Sequence, residues 1–238
     1  MKRKPAPSIA KPTIVEVFHE FLAEQRDRLA PKTFAKYEYV LDLFQHSLNG
    51  YAYQSLDKDE AQFFHRLYDA KGSEHREFCE VFGPKHILPN VGEFLGYFMI
   101  RKVIAGKETL RMAGTVTKKL AKWLAEKRYV EAEDAEDAAE CGGEAARDLP
   151  EASDLTRELD DCGTSAARGE ETIEDYFTFT QVEPGKVWVE DMAGRKRGPI
   201  RLPPEVSRRC KGGWTFSGVI AGSGARWHIV EAWNVYPG

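Results

Sequence analysis

Apolar residues recur with a helical period from the start of the chain. Ile14, Val17, Phe18, Phe21 and Leu22 share one face, and Thr13-Ile-Val-Glu16 has capping-box spacing, so a helix is predicted from Thr13 to about Leu29. Pro31 suits the first turn of a second helix, with Tyr37, Val40, Leu41, Phe44 and Leu48 as its apolar stripe and Asn49-Gly50 as its end. Asp57 opens a third, which continues through Phe63, Phe64 and Leu67 and stops near Lys71-Gly72. Ser73 to Phe82 reads as one short helix closed by Gly83-Pro84, and Val91 to Val103 as the most buried of the set. Lys107 to Arg128 gives a last long helix with a core stripe of Leu110, Ala113, Thr117, Leu120 and Leu124, widened by Val116 and Trp123.

Near the C-terminus the period becomes two. Phe177 to Val182, Lys186 to Val189, Ile200 to Leu202, Trp214 to Val219 and Trp227 to Val235 are strand candidates, separated by Glu183-Pro-Gly185, Ala193-Gly194 and Gly222-Ser-Gly-Ala225. Pro203 to Cys210 fits a single helical turn. Five short strands predict a small half-open barrel, SH3-like or OB-like, with the length favouring SH3-like. Trp188, Trp214, Trp227, Trp233 and Tyr236 all fall here. Some must fill the core, and an exposed one or two would offer a face for bases or a peptide.

Between these patterns lies an acidic run, residues 131–175, with 17 Asp or Glu against Arg147, Arg157 and Arg168. It is poor in large apolar side chains, so little offsets the cost of ordering it. A disordered linker is predicted. The expected organisation is α+β and multidomain: a helical bundle at 12–130, the acidic linker at 131–175 and a small SH3-like barrel at 176–238. The formal charge of −4 then divides into +6, −14 and +4. Two basic modules with an acidic strap between them suggest a polyanion partner, with the strap able to compete for the same surfaces.

Other signals narrow the class. No apolar run is long enough for a bilayer span, and MKRKPAPSIAKP lacks the apolar core of a secretory signal, so a cytoplasmic protein is expected. Cys79, Cys141, Cys162 and Cys210 form no Cys-x-x-Cys pair and fit reduced thiols. His65, His75, Cys79 and His86 match no zinc spacing, and neither metal nor cofactor is expected. Acidic pairs such as Asp134 and Asp137 lie in the strap, and Gly222-Ser-Gly224 reads as a hairpin turn and not a phosphate loop. No nucleophile–base arrangement stands out, so an enzyme is not expected.

On the last helix of the bundle, Arg111, Thr115, Lys118 and Lys122 are spaced i, i+4, i+7, i+11, with Lys119 beside them. On the second, Lys32, Thr33 and Lys36 face outward near its start. The runs FHEFLAEQRDRLAPKTFAKYEYVLDLFQHSL and FLGYFMIRKVIAGKETLRMAGTVTKKLAKWLAEKRYV carry these faces. Together they resemble the N-terminal core-binding, SAM-like domain of the tyrosine recombinase and phage integrase family. The shared marks are an opening aromatic FxxFL core, a Pro-Lys-Thr helix start with Tyr37 one turn after Thr33, and a WLxEKxY ending at Trp123 to Tyr129. The resemblance implies double-stranded DNA binding and places Lys32, Thr33, Lys36, Arg111, Lys118, Lys119 and Lys122 near phosphates.

The segment from Asp57 to Asn90 is longer than a minimal domain of that family, and its catalytic half is missing. Tyr236 has no preceding His-x-x-Arg motif and closes a strand, so it is rejected as a nucleophile. Arg195, Lys196 and Arg197, with Arg208, Arg209 and Lys211, make the barrel loops basic and suggest a second nucleic-acid contact. The reading is a non-catalytic DNA-binding accessory protein. The alternative is an adaptor whose barrel binds a peptide or a protein subunit, and a third option binds RNA through the barrel. Pairing of Arg111, Lys118 and Lys122 with Glu108 or Glu126 would favour the adaptor.

Overall fold

The computed structural model describes residues 7–224 and 226–238. The basic start at Lys2, Arg3 and Lys4, and Ala225 of the last predicted turn, lie outside the described residues. The chain is α+β, with helices followed by a mixed five-stranded sheet. It divides into two units, residues 1–99 with 108–146, and residues 100–107 with 147–238.

The first unit is helical. In α1 (Ile14–Arg26) the Thr13 hydroxyl accepts from the Glu16 amide while Glu16 accepts from the Thr13 amide, so two otherwise orphaned donors are satisfied. Next, α2 (Pro31–Tyr51) buries Phe34, Tyr37, Val40, Leu41, Phe44 and Leu48, and α3 (Lys58–Tyr68) is capped by Asp57. The short helix predicted to begin at Ser73 is a single turn, α4 (Phe78–Val81). The most apolar stretch runs as α5 (Val91–Glu93), a π turn at Phe94–Phe98 and α6 (Met99–Arg101). Phe94 stacks on Phe44 at 4.4 Å between centroids. In α7 (Lys107–Glu126) every predicted core position is buried, and Trp123 meets Phe21 edge-on at 5.3 Å.

The predicted linker is the main correction. Residues 132–161 form one helix, α8 (Ala132–Asp161). Its buried positions include Ala135, Ala138, Ala139 and Gly142 in the first half and Leu149, Ala152, Leu155 and Leu159 in the second, each set at helical spacing. Counting large apolar residues misses such a stripe, because alanine and glycine bury little area themselves and contribute by letting backbones approach. At the crossing of α7 and α8, a Cβ on Gly114 would lie 2.3 Å from the Ala146 nitrogen, and one on Gly142 would lie 2.8 Å from the Gly114 carbonyl oxygen and the Lys118 nitrogen. Alanine's high helix propensity supplies the rest.

In the second unit, β1 (Glu171–Glu183) absorbs the end of the acidic run, followed by β2 (Lys186–Glu190), β3 (Lys196–Arg201), α9 (Pro204–Ser207), β4 (Thr215–Ser223) and β5 (Arg226–Tyr236). The strands hydrogen-bond in the order β1-β2-β3-β5-β4, and β1 also pairs with β4, so the sheet closes on itself. All pairings are antiparallel except β3 with β5. Ala152, Leu155 and Leu159 of α8 pack into one core with Phe177, Phe179, Val187, Ile200, Phe216 and Ile229. The domain boundaries predicted at 131 and 176 therefore do not hold, since the acidic run is built into both cores. With it assigned in this way, the helical unit carries a formal −4 and the barrel unit none.

Candidate nucleic-acid interface

The six cations and one hydroxyl predicted to meet phosphates all lie in the helical unit, on α2 and α7. Lys32, Arg111, Lys118, Lys119 and Lys122 are exposed, and none forms an ion pair among the described residues. Thr33 is half-buried in the first turn of α2. Lys36 is different: its ammonium bonds the Glu108 carboxylate, joining the start of α2 to the start of α7. That bond, with the charges of Lys32 and Arg111 nearby, holds Glu108 below the ordinary carboxylate range. The structure thus gathers Lys32, Lys36 and Arg111 around one carboxylate.

Farther along α7, Lys118 and Lys122 line a groove of about 590 Å³ together with Glu126, Glu136 and Glu140. The last two belong to α8, so carboxylates that a flexible strap would have carried away stand beside the lysines. On the other side of α7, Lys119, Lys122 and Arg28 rim a second cleft whose wall includes Phe21, Tyr37 and Trp123. Behind it, the Trp123 indole donates to Glu24 at 2.8 Å, the Tyr129 hydroxyl donates to Glu20 at 2.7 Å, and Lys127 lies over the Trp123 ring. The WLxEKxY phrase is therefore a packing and hydrogen-bonding device that fixes the end of α7 to α1.

The barrel's predicted contact is mostly committed to structure. Asp191 is buried, and burial alone would raise its carboxyl. Bonds from the Arg195 amide and guanidinium and from the Ala193 amide outweigh that and hold it low. Arg197 reaches the same carboxylate at 3.7 Å and lies over the Trp227 ring. Of the three, Lys196 is exposed and forms no ion pair among the described residues. Arg209 pairs with Asp154 and Glu158, and Lys211 with Asp148 and Glu151, all on α8. Arg209 and Lys211 are thus neutralised by the acidic helix.

Among the aromatics, Trp214 and Trp227 are buried, Trp188 is half-buried and Trp233 is exposed. Lys186 and Arg201 stand directly opposite each other on β2 and β3, beside Trp188. Lys186 also pairs with Glu183 and lies over the Trp188 ring. Sequence reasoning did not single out this row, although period two already places Lys186 and Trp188 on the face opposite Val187 and Val189.

The remaining candidates serve packing. His75 bonds the Tyr68 carbonyl and Glu77, burial pushes the Cys79 thiol up, and His86 lies against the rings of Phe78 and Phe82. Among the described residues no three His, Cys, Asp or Glu side chains gather to hold a metal. Tyr236 packs on Tyr176, 5.7 Å between centroids, and burial raises its hydroxyl. No helix among the described residues is long and apolar enough to cross a membrane.

No family model, curated protein or solved structure matches the chain. The functional reading rests on the residues themselves.

Proposed function

We propose that the chain is a non-catalytic DNA-binding protein that grips the duplex backbone with the helical unit, in the manner its recombinase-like sequence implies. One observation carries this reading: Lys32, Arg111, Lys118, Lys119 and Lys122 stand exposed and unpaired on α2 and α7, while the basic loops of the barrel are largely neutralised internally. A local positive patch attracts phosphate even on a unit whose net charge is negative. Such binding is weakly sequence-specific and steeply salt-dependent. If each of the five cations meets a phosphate, the affinity should fall with a log–log slope of roughly −4.5.

The test is fluorescence anisotropy of the full chain on a short duplex across a salt series, beside an Arg111→Glu, Lys118→Glu variant. Loss of salt-dependent binding in the variant supports the reading. A flat salt response, or an unaffected variant, overturns it.

A second reading is favoured by the strand order of the barrel. A closed five-stranded sheet in a non-sequential order, with α9 between β3 and β4, fits the OB-like expectation better than the SH3-like one. In OB folds the face of strands 2 and 3 takes single strands. Here that face carries Lys186, Trp188 and Arg201, with Lys196 opposite Glu190 at its far end. Binding of single-stranded but not duplex DNA, lost in Trp188→Ala, would move the function there. An adaptor role would be indicated if neither nucleic acid binds at low salt.

A further inference from the structure

The start of α2 and the start of α7 meet in a cluster larger than a structural ion pair requires. The Lys36 ammonium bonds the Glu108 carboxylate, so these two side chains face each other. Lys32 lies four residues before Lys36 on α2, and Arg111 three residues after Glu108 on α7, spacings that put each on the same helix face as its neighbour. Both act electrostatically on Glu108. One carboxylate thus stands among three cations. Joining two helices takes one pair, and the positive charge of Lys32 and Arg111 remains available to an anion from outside the chain.

Exposure shows which member of the pair is fixed. The Lys36 side chain is 30% exposed and the Glu108 side chain 71%. The ammonium is held against the protein, whereas the carboxylate reaches it from the solvent side. Pairs this open are held weakly, because water and salt screen both charges. The first turn of α7, where Glu108 sits, also favours an anion through the helix dipole, and that preference does not depend on whose anion it is.

We infer that Lys32, Lys36 and Arg111 form a seat for one backbone phosphate, that Glu108 occupies this seat in the free protein, and that a duplex binds by displacing the Glu108 carboxylate. The inference rests on the duplex reading and adds a device that regulates it. Ammonium and guanidinium groups bind the paired oxygens of a carboxylate and of a phosphodiester alike. The phosphodiester prevails because its neighbours on the same duplex meet Lys118, Lys119 and Lys122, so its local concentration at the seat is high. Once displaced, Glu108 stays beside the seat and repels the phosphate, so it lowers affinity without abolishing it.

The experiment measures duplex affinity of the full chain by fluorescence anisotropy at low salt. Glu108→Gln keeps the size and a neutral acceptor for Lys36 but removes the competing charge, and should tighten binding by about fivefold or more. Asp42→Asn removes the same charge from an exposed position farther along α2, and should change affinity by less than about twofold. Lys36→Met in the Glu108→Gln background should cancel the gain, since the freed ammonium is the group that takes the phosphate. Lys32→Gln in that background breaks no ion pair of the free protein and should cancel part of it. Circular dichroism checks that each variant folds. The inference is overturned if Glu108→Gln gains no more than Asp42→Asn, or if its gain survives both Lys36→Met and Lys32→Gln. Salt-dependent binding that is lost in Arg111→Glu, Lys118→Glu yet indifferent to Glu108→Gln would remove this inference and leave the duplex reading intact. Absence of duplex binding by both wild type and Glu108→Gln at low salt would remove both.

Discussion

The two halves of α8 solve the same problem differently. From Ala132 to Ala146 the helix presents alanine and glycine and lies close against α7, with Gly142 against the backbone of Gly114 and Lys118. From Arg147 to Asp161 it presents Ala152, Leu155 and Leu159, which fill a core with the aromatic residues of the barrel. The charges divide likewise. The second half bonds Lys107, Arg209 and Lys211, whereas the first leaves Lys118 and Lys122 unpaired in a shared groove. Acidity alone therefore does not say whether a helix neutralises its neighbours; the spacing to the cations does.

The largest effect is expected where the contact is side chain into core. Leu159 is fully buried, and Leu159→Ala should destabilise the barrel unit by about 2–5 kcal/mol, read by denaturant unfolding as a lower midpoint with an unchanged slope. If the loss is under 1 kcal/mol, the second half of α8 is not part of that core. Next comes the glycine seam. Gly142→Ala would set a Cβ 2.8 Å from backbone atoms of Gly114 and Lys118, and neither can shift cheaply, so about 1–3 kcal/mol is expected. Gly143→Ala is the control. Its new Cβ meets the movable Lys118 ammonium at 3.2 Å, and helix propensity favours alanine, so little loss should appear. Equal costs at the two positions would break the seam argument.

These contacts also show what the sequence discloses and what it hides. The capping box at Thr13, the stripe of α7 and the alternation of the strands are legible because each is a local rule written in large side chains. The first half of α8 was hidden because its apolar stripe is made of alanine and glycine. Those residues are read correctly only once it is known that another backbone lies against them. The candidate site was half legible. Helical spacing places Arg111, Lys118 and Lys122 on one face, but nothing local says that Lys36 meets Glu108 across 72 residues, or that Asp191 holds Arg195.

The second half of α8 should also impose a pH dependence. Asp154 is mostly buried, which raises its carboxyl, but bonds from Lys107, Arg209 and Arg157 outweigh this and hold it below the usual range. A folded-state value below the unfolded one means the stabilisation is complete above the unfolded value of 3.8 and is lost as pH falls through the folded value. Asp154→Asn should cost about 1.5 kcal/mol near neutrality and flatten the acid side of the stability curve. An unchanged acid limb would show that these bonds do not set it.

The smallest effect tests the first half. Glu136 and Glu140 share a groove with Lys118 and Lys122 but form no ion pair with them, so they act on an arriving phosphate only through the local field. Glu136→Gln, Glu140→Gln should tighten duplex binding by a few-fold, under about 1 kcal/mol, and the gain should vanish at high salt where the Debye length shortens to about 3 Å. Deleting the helix cannot test this, because deletion would strip both cores of a wall. If the double substitution leaves affinity unchanged at low salt, the carboxylates are too far from the phosphate path to matter. The contact would then have to lie toward Lys32 and Arg111, at the other end of α7.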